Sequence, residues 1–189
     1  MRGRSLFRTM RPLIVACGFA LQIVPRPVCV FLWPLIQSVP WLVGIGLRYV
    51  WLKRLAARVG ENVFIGRDVE IYGWNSLSIA DHVSIHRGSY LDASGGIQIG
   101  NNVSIAHSCS ILSAEHTWDD DSIPIRDSPL RYAAVQIDDD VWIGCGVRIL
   151  KGVTLGRRVV VAAGAVVTRS VSGGRVVAGI PARPIRLVQ

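Results

Sequence analysis

Four histidines stand at positions 82, 86, 107 and 116, and four cysteines at 17, 29, 109 and 145. A free imidazole titrates near about pH 6.5, so at neutral pH it is available to take a proton from a hydroxyl as that oxygen attacks. His116 is distinguished by its setting. It lies in Ala114-Glu115-His116-Thr117-Trp118, inside a stretch from Ser113 to Ala134 that interrupts an otherwise regular repeat. Loops extruded from a rigid scaffold are where function concentrates. Glu115 next to it has two readings: it orients the imidazole and fixes its tautomer, or it is a solvated acid. The run Asp119-Asp120-Asp121 reads as a solvated loop face, because a hard cation needs further spaced oxygen ligands. The cysteines form no C-x-x-C pair, which points to a reduced, cytoplasmic protein and not a disulfide scaffold. Cys145 has no general base among its sequence neighbours and is not expected to act as a nucleophile.

The scaffold that must position these groups is written in a period of six. Aliphatic residues return at Val59, Ile65 and Ile71, at Ile79, Ile85 and Leu91, and at Ile99, Ile105 and Ile111. After the break they resume at Ile137, Ile143 and Ile149, then Leu155, Val161 and Val167. Six is neither the helix nor the strand period; it marks a short strand followed by a corner, wound around one axis. Residues 59–78, 79–98 and 99–118 are units of twenty, each with two extra residues at one corner, whereas 137–154 and 155–172 are units of eighteen. Each unit is one three-sided coil. A single coil cannot bury its inner face, so the five must stack. Gly66, Gly100, Gly144 and Gly156, with the Asn and Asp around them, are expected at corners of positive φ.

The first 58 residues are different in kind. Residues 1–60 carry nine Arg and Lys and no Asp or Glu, while 61–189 carry twelve basic and thirteen acidic side chains. The repeat domain is therefore close to neutral, and no nucleic-acid partner is expected. Apolar runs at Leu13–Val24 and Val28–Ile36 are broken by Pro25, Pro27 and Pro34, and a helix-like stretch from Trp41 follows a Ser38 cap. None reaches the eighteen or so residues that span a bilayer. The Arg4, Arg8, Arg11 spacing places three charges on one helical stripe. The pattern predicts a segment dipped into one leaflet beside anionic headgroups; the alternative is a helical cap on the coils. Arg2 to Arg11 and the run behind them mimic a signal peptide, but the apolar run continues past Cys17, and the segment reads as retained. A chain starting near Arg58 is expected to stay soluble.

The hexads, Val141-Trp142-Ile143-Gly144 and the ending Val177-Ala178-Gly179-Ile180-Pro181-Ala182-Arg183 resemble the hexapeptide-repeat acyltransferases. The likeness is nearest to the maltose, galactoside and nodulation-factor O-acetyltransferases and the capsule and exopolysaccharide acetyltransferases, over roughly residues 59–187. It implies an all-β repeat fold, a left-handed parallel β-helix, with the apolar, basic, helical extension (1–58) outside the likeness. The domain organisation is then 1–58, 59–172 with an extruded loop at about 113–136, and a tail at 173–189. The resemblance implies a homotrimer with acetyl-CoA between adjacent prisms, and His116 as the base for direct transfer to a sugar hydroxyl. It implies backbone contacts to the pantetheine arm at Cys145 and Ala163, Trp142 beside the thioester, and Arg169, Arg183 and Arg186 at the CoA phosphates. His86 occupies the place of an acceptor-side Asn, and His107 lies on the adjacent coil, so both are candidates for the acceptor.

Carbonic anhydrases built on the same prism use three histidines, two of them separated by four residues. Here His82 and His86 are separated by three, and His107 and His116 by eight, so no metal is expected. The resulting expectation is an O-acetyltransferase at the inner face of the cell membrane, peripherally attached, acting on a saccharide acceptor that is lipid-linked. Its rivals are N-acetylation of an amino-sugar nucleotide and a non-catalytic, membrane-anchored scaffold.

Overall fold

Each hexad folds as two extended residues and a four-residue corner, and the corner chemistry explains the sequence. The computed structural model describes residues 16–188. The chain winds as a left-handed parallel β-helix whose three faces are parallel sheets. The first face runs from Arg58–Val59 to Thr154–Leu155, the second from Phe64–Ile65 to Val160–Val161, and the third from Glu70–Tyr72 to Val166–Val167. On the second face Ile65, Ile85, Ile105, Ile143 and Val161 stand in register, all completely buried, with Val177 continuing the column. Interiors this tight tolerate few changes of volume, hence the narrow choice among Ile, Leu and Val.

The corners turn at the fourth residue of the hexad. Asn62, Asp68, His82, Asn102, Ser108, Asp140 and Arg158 all hold positive φ there, with glycine at positions such as 88 and 146. The glycines expected to do this, Gly66, Gly100, Gly144 and Gly156, do not have positive φ. They are needed for close approach: a Cβ on Gly144 would lie 2.6 Å from the Ala163 nitrogen on the next coil. His82, on its outward corner, is exposed and receives a hydrogen bond from Asn62 Nδ2 at 3.0 Å on Nδ1.

The break in the repeat is an insertion at the corner between the third and first faces. Ala114–His116 and Leu130–Tyr132 pair as an antiparallel hairpin, and the Ala133 N–H donates to Ser113 O at 3.0 Å, closing its base. Coils one and two carry their extra residues at this same corner. At the C-terminal end, Arg175–Ala178 adds to the second face and turns back through a cis Ile180–Pro181 bond into Arg183–Leu187. Within the stretch 173–189, expected as a tail, Arg175–Ala178 and Arg183–Leu187 thus continue the sheet.

The described part of the extension carries a helical hairpin, α1 (Arg26–Ser38) and α2 (Trp41–Leu55), laid across the open first coil. Leu52 and Leu55 are completely buried in one core with Val63 and Ile65. Arg48, also buried, donates from Nε to Ile65 O at 2.8 Å and from Nη1 to Val39 O at 2.7 Å and Gln37 O at 3.2 Å. Burial, and then the charge of Arg67, pushes its guanidinium below the usual arginine value, while Asp68 acts the other way. The Tyr49 hydroxyl donates to Gly60 O at 2.9 Å. The Ile65 and Gly60 carbonyls have no coil beneath them, and α2 supplies the missing donors.

The cap packing is therefore real, and it revises the expectation that a chain starting near Arg58 stays soluble: without α2 the base of the core is open to water. Ser38 does not cap α2, which begins after Pro40; its Oγ donates to Pro34 O at 3.4 Å within α1. The Arg4, Arg8, Arg11 stripe lies outside the described residues, and no described helix is long and apolar enough to cross a membrane.

Candidate active site

His116 ends the first strand of the extruded hairpin, opposite Leu130, and its side chain is exposed. Its Nδ1 lies 2.8 Å from Ser128 O. A carbonyl only accepts, so Nδ1 carries the proton and Nε2 is left with a free lone pair facing solvent. Ser128 is held in turn, buried, by the 3-10 turn Ile125–Asp127: its N–H donates to Ile125 O at 3.1 Å. The hairpin tip is braced by Arg131 and Asp119, Nη2 to Oδ2 at 2.8 Å. Glu115, His116, Thr117, Trp118, Asp119 and Arg131 line one shallow pocket, with Trp118 64% exposed beside the imidazole.

Glu115 does not orient His116. Adjacent strand residues point to opposite faces, and the Glu115 carboxylate meets Lys151 Nζ at 2.9 Å on the fourth coil. The tautomer is fixed by the Ser128 backbone instead, a partner twelve residues away that nothing in the sequence marks. The acidic run behaves as a solvated face: Asp120 accepts from the Ser122 side chain at 2.6 Å and from its N–H at 2.9 Å, and these bonds lower its pKa.

A second group of residues lies one corner away, between the second and third faces. Arg67, Arg87, His107, Cys145 and Ala163 stack there, each carbonyl from Arg67 to Cys145 accepting from the residue after the next member: Gly146 N–H to His107 O at 3.0 Å, Gly164 N–H to Cys145 O at 2.8 Å. The upper part of this edge is a shelf of small residues, with open space outside Gly164. Among the described residues, the Cys145 and Ala163 N–H groups have no partner. Two unpaired donors eighteen residues apart, on adjacent coils, suit a chain of amide carbonyls lying along the edge.

Trp142 projects from the second face nearby, half exposed. His86 follows the same face two coils below and packs against Phe64, ring centroids 5.4 Å apart. Arg183 and Arg186 project from the C-terminal strand above, exposed and without an acidic partner among the described residues. Arg169 is placed differently. It sits eighteen residues beyond Lys151, at the hairpin corner, and is not part of this shelf. Cys109, beneath the shelf, is buried and donates to Gly144 O at 3.2 Å; burial pushes its thiol up, which leaves it inert.

The structure thus divides the expected site between two corners of the prism. His116 and Arg169 occupy one; Trp142, Cys145, Ala163, Arg183, Arg186, His86 and His107 occupy or flank the other. Residues 134–169 match the family model described as bacterial transferase hexapeptide (six repeats). The Escherichia coli galactoside O-acetyltransferase is 29% identical over 136 residues, 71% of this chain and 66% of that protein. A hexapeptide-repeat acetyltransferase of Vibrio cholerae, solved with acetyl-CoA, superposes with a TM-score of 0.77 at 29% identity over 87% of each chain. A galactoside acetyltransferase in complex with coenzyme A gives 0.78 at 25% identity, over 87% of this chain and 80% of the other. The chain spans 37% to 66% of the length of five curated relatives.

Proposed function

We propose that this member of the hexapeptide-repeat acyltransferases moves an acetyl group from acetyl-CoA to a sugar hydroxyl. The observation that carries the reading is the His116 imidazole, held by the Ser128 carbonyl in the tautomer whose free Nε2 faces the hairpin pocket. There Nε2 takes the proton from the acceptor hydroxyl, and Trp118 offers the flat apolar face on which a sugar ring stacks. Acetyl-CoA supplies the activated acyl group. The small-residue shelf fits its pantetheine arm through the unpartnered Cys145 and Ala163 N–H groups, with Trp142 beside it and Arg183 and Arg186 for the phosphates. Relatives that act on galactosides support a saccharide acceptor, and we place the reaction in surface polysaccharide or glycolipid assembly, on the cytoplasmic side where acetyl-CoA is found.

Because base and shelf lie on different corners, the reading requires a neighbouring chain. One prism contributes its hairpin and the next its shelf, and a closed threefold ring satisfies every copy equally. Acetyl-CoA turnover, followed as released thiol with a panel of neutral and amino sugars, tests the proposal. O-acetylated product from a neutral sugar is expected. Transfer only to amino groups, or none to any saccharide, overturns it.

A further inference from the structure

The cap has two faces of opposite purpose. Toward the prism it buries Cys29, Trp33, Tyr49, Leu52 and Leu55. Toward solvent α1 presents Val28, Phe31, Pro34 and Leu35, spaced as a continuous helical stripe, with Phe31 80% and Leu35 67% exposed. The preceding segment adds Phe19 (73%) and Ile23 (82%), and the start of α2 adds Trp41 (85%) and Val43 (66%). A water-facing helix of a soluble domain carries polar residues at such positions. Among the described residues, nine of the nineteen exposed large apolar side chains lie in residues 19–43, so this is a patch and not ordinary surface scatter. The sequence charge of the extension is one-sided, with nine basic residues and no acidic one within 1–60; among the described ones Arg48 is buried toward the coils, and Arg26, Lys53, Arg54 and Arg58 remain.

From this juxtaposition we infer that the outer face of the helical cap docks on an anionic lipid leaflet, lying in its plane. The apolar stripe enters the headgroup boundary and basic residues of the extension other than the buried Arg48 meet anionic headgroups, with neither helix long enough to cross. Val30 and Pro34 also border a crevice against the first coil, where the buried Trp33 Nε1–H has no partner among the described residues. The inference is independent of the acetyl-transfer reading, since the patch shares no residue with either half of the site.

Point variants of the full chain test it. Flotation is measured with phosphatidylcholine vesicles and with vesicles containing about a third phosphatidylglycerol. Wild type is expected to float with the anionic vesicles, less so at high salt, and the Phe31→Ser/Leu35→Ser/Trp41→Ser triple variant to lose roughly tenfold or more of that binding. Its thermal midpoint and its turnover on a soluble acceptor should be unchanged. Should the triple variant fold poorly, hydrogen exchange on wild type decides: vesicle protection belongs in residues 19–43 and not on the prism. Wild type that ignores anionic vesicles, or vesicle protection elsewhere, overturns the inference. So does self-association in lipid-free solution that the triple variant abolishes, which would make a second copy the occupant.

Discussion

At the scale of single residues, the site turns on which atom holds each proton. If His116 Nε2 is the base, His116→Ala should lower kcat by roughly 10²–10⁴-fold with acetyl-CoA affinity nearly unchanged, because the imidazole acts on the acceptor alone. Wild-type turnover by that variant would remove His116 from the mechanism. The neighbouring acid gives the opposite expectation. Glu115 is bonded to Lys151 and not to the imidazole, so Glu115→Gln should keep kcat within about threefold and lose only a partly buried ion pair. A hundredfold loss from Glu115→Gln would mean that the carboxylate, and not the Ser128 carbonyl, controls the tautomer.

Elements show where the sequence was transparent and where it was opaque. The period of six announced the coil, and the register of Ile65, Ile85, Ile105 and Ile143 follows from it directly, because stacking in register is the one arrangement that buries every aliphatic. The extruded loop was legible as a break, and His116 within it. What the period could not tell is how the break folds: that Ser128 returns to within hydrogen-bonding distance depends on the hairpin's pairing, which carries no hexad signal. Corner glycines were located but misread, since a corner needs both a positive-φ residue and, elsewhere, a residue with no room for a Cβ, and glycine serves either need. Gly144→Val should therefore lower stability by several kcal/mol, by about the 1–3 kcal/mol of overpacking or more, because the clash is with Ala163 backbone. Differential scanning calorimetry measures it, and a midpoint equal to wild type would contradict the close approach. The buried Arg48 was equally invisible. Arg48→Met strips donors from the Ile65, Val39 and Gln37 carbonyls, and should cost about 3 kcal/mol in chemical denaturation.

For the molecule as a whole, the proposed reading, with His116 and the Cys145–Ala163 shelf on separate corners, makes activity a property of the assembly. Chains carrying His116→Ala and chains carrying Ala163→Trp, each inactive alone, should recover activity when unfolded and refolded together. If every site takes its base from one chain and its shelf from the next, random mixing in equal parts should restore about a quarter of wild-type turnover. Mixed trimers without activity would show that base and shelf belong to one chain. The same prism, viewed along its axis, has the logic of a fibre: each coil is a template for the next, and a bare terminal coil is a place for growth by another copy. Neither end is bare here. Arg48 and Tyr49 occupy first-coil carbonyls at the base, and at the other end Arg183–Leu187 runs antiparallel along the last strand of the second face. Strand-by-strand elongation is stopped at both poles, and the proposed reading has copies meet flank to flank, where a hairpin on one can reach a shelf on another. Stripping one pole should redirect association into filaments and abolish turnover together, joining the guard against polymerisation to the geometry of catalysis.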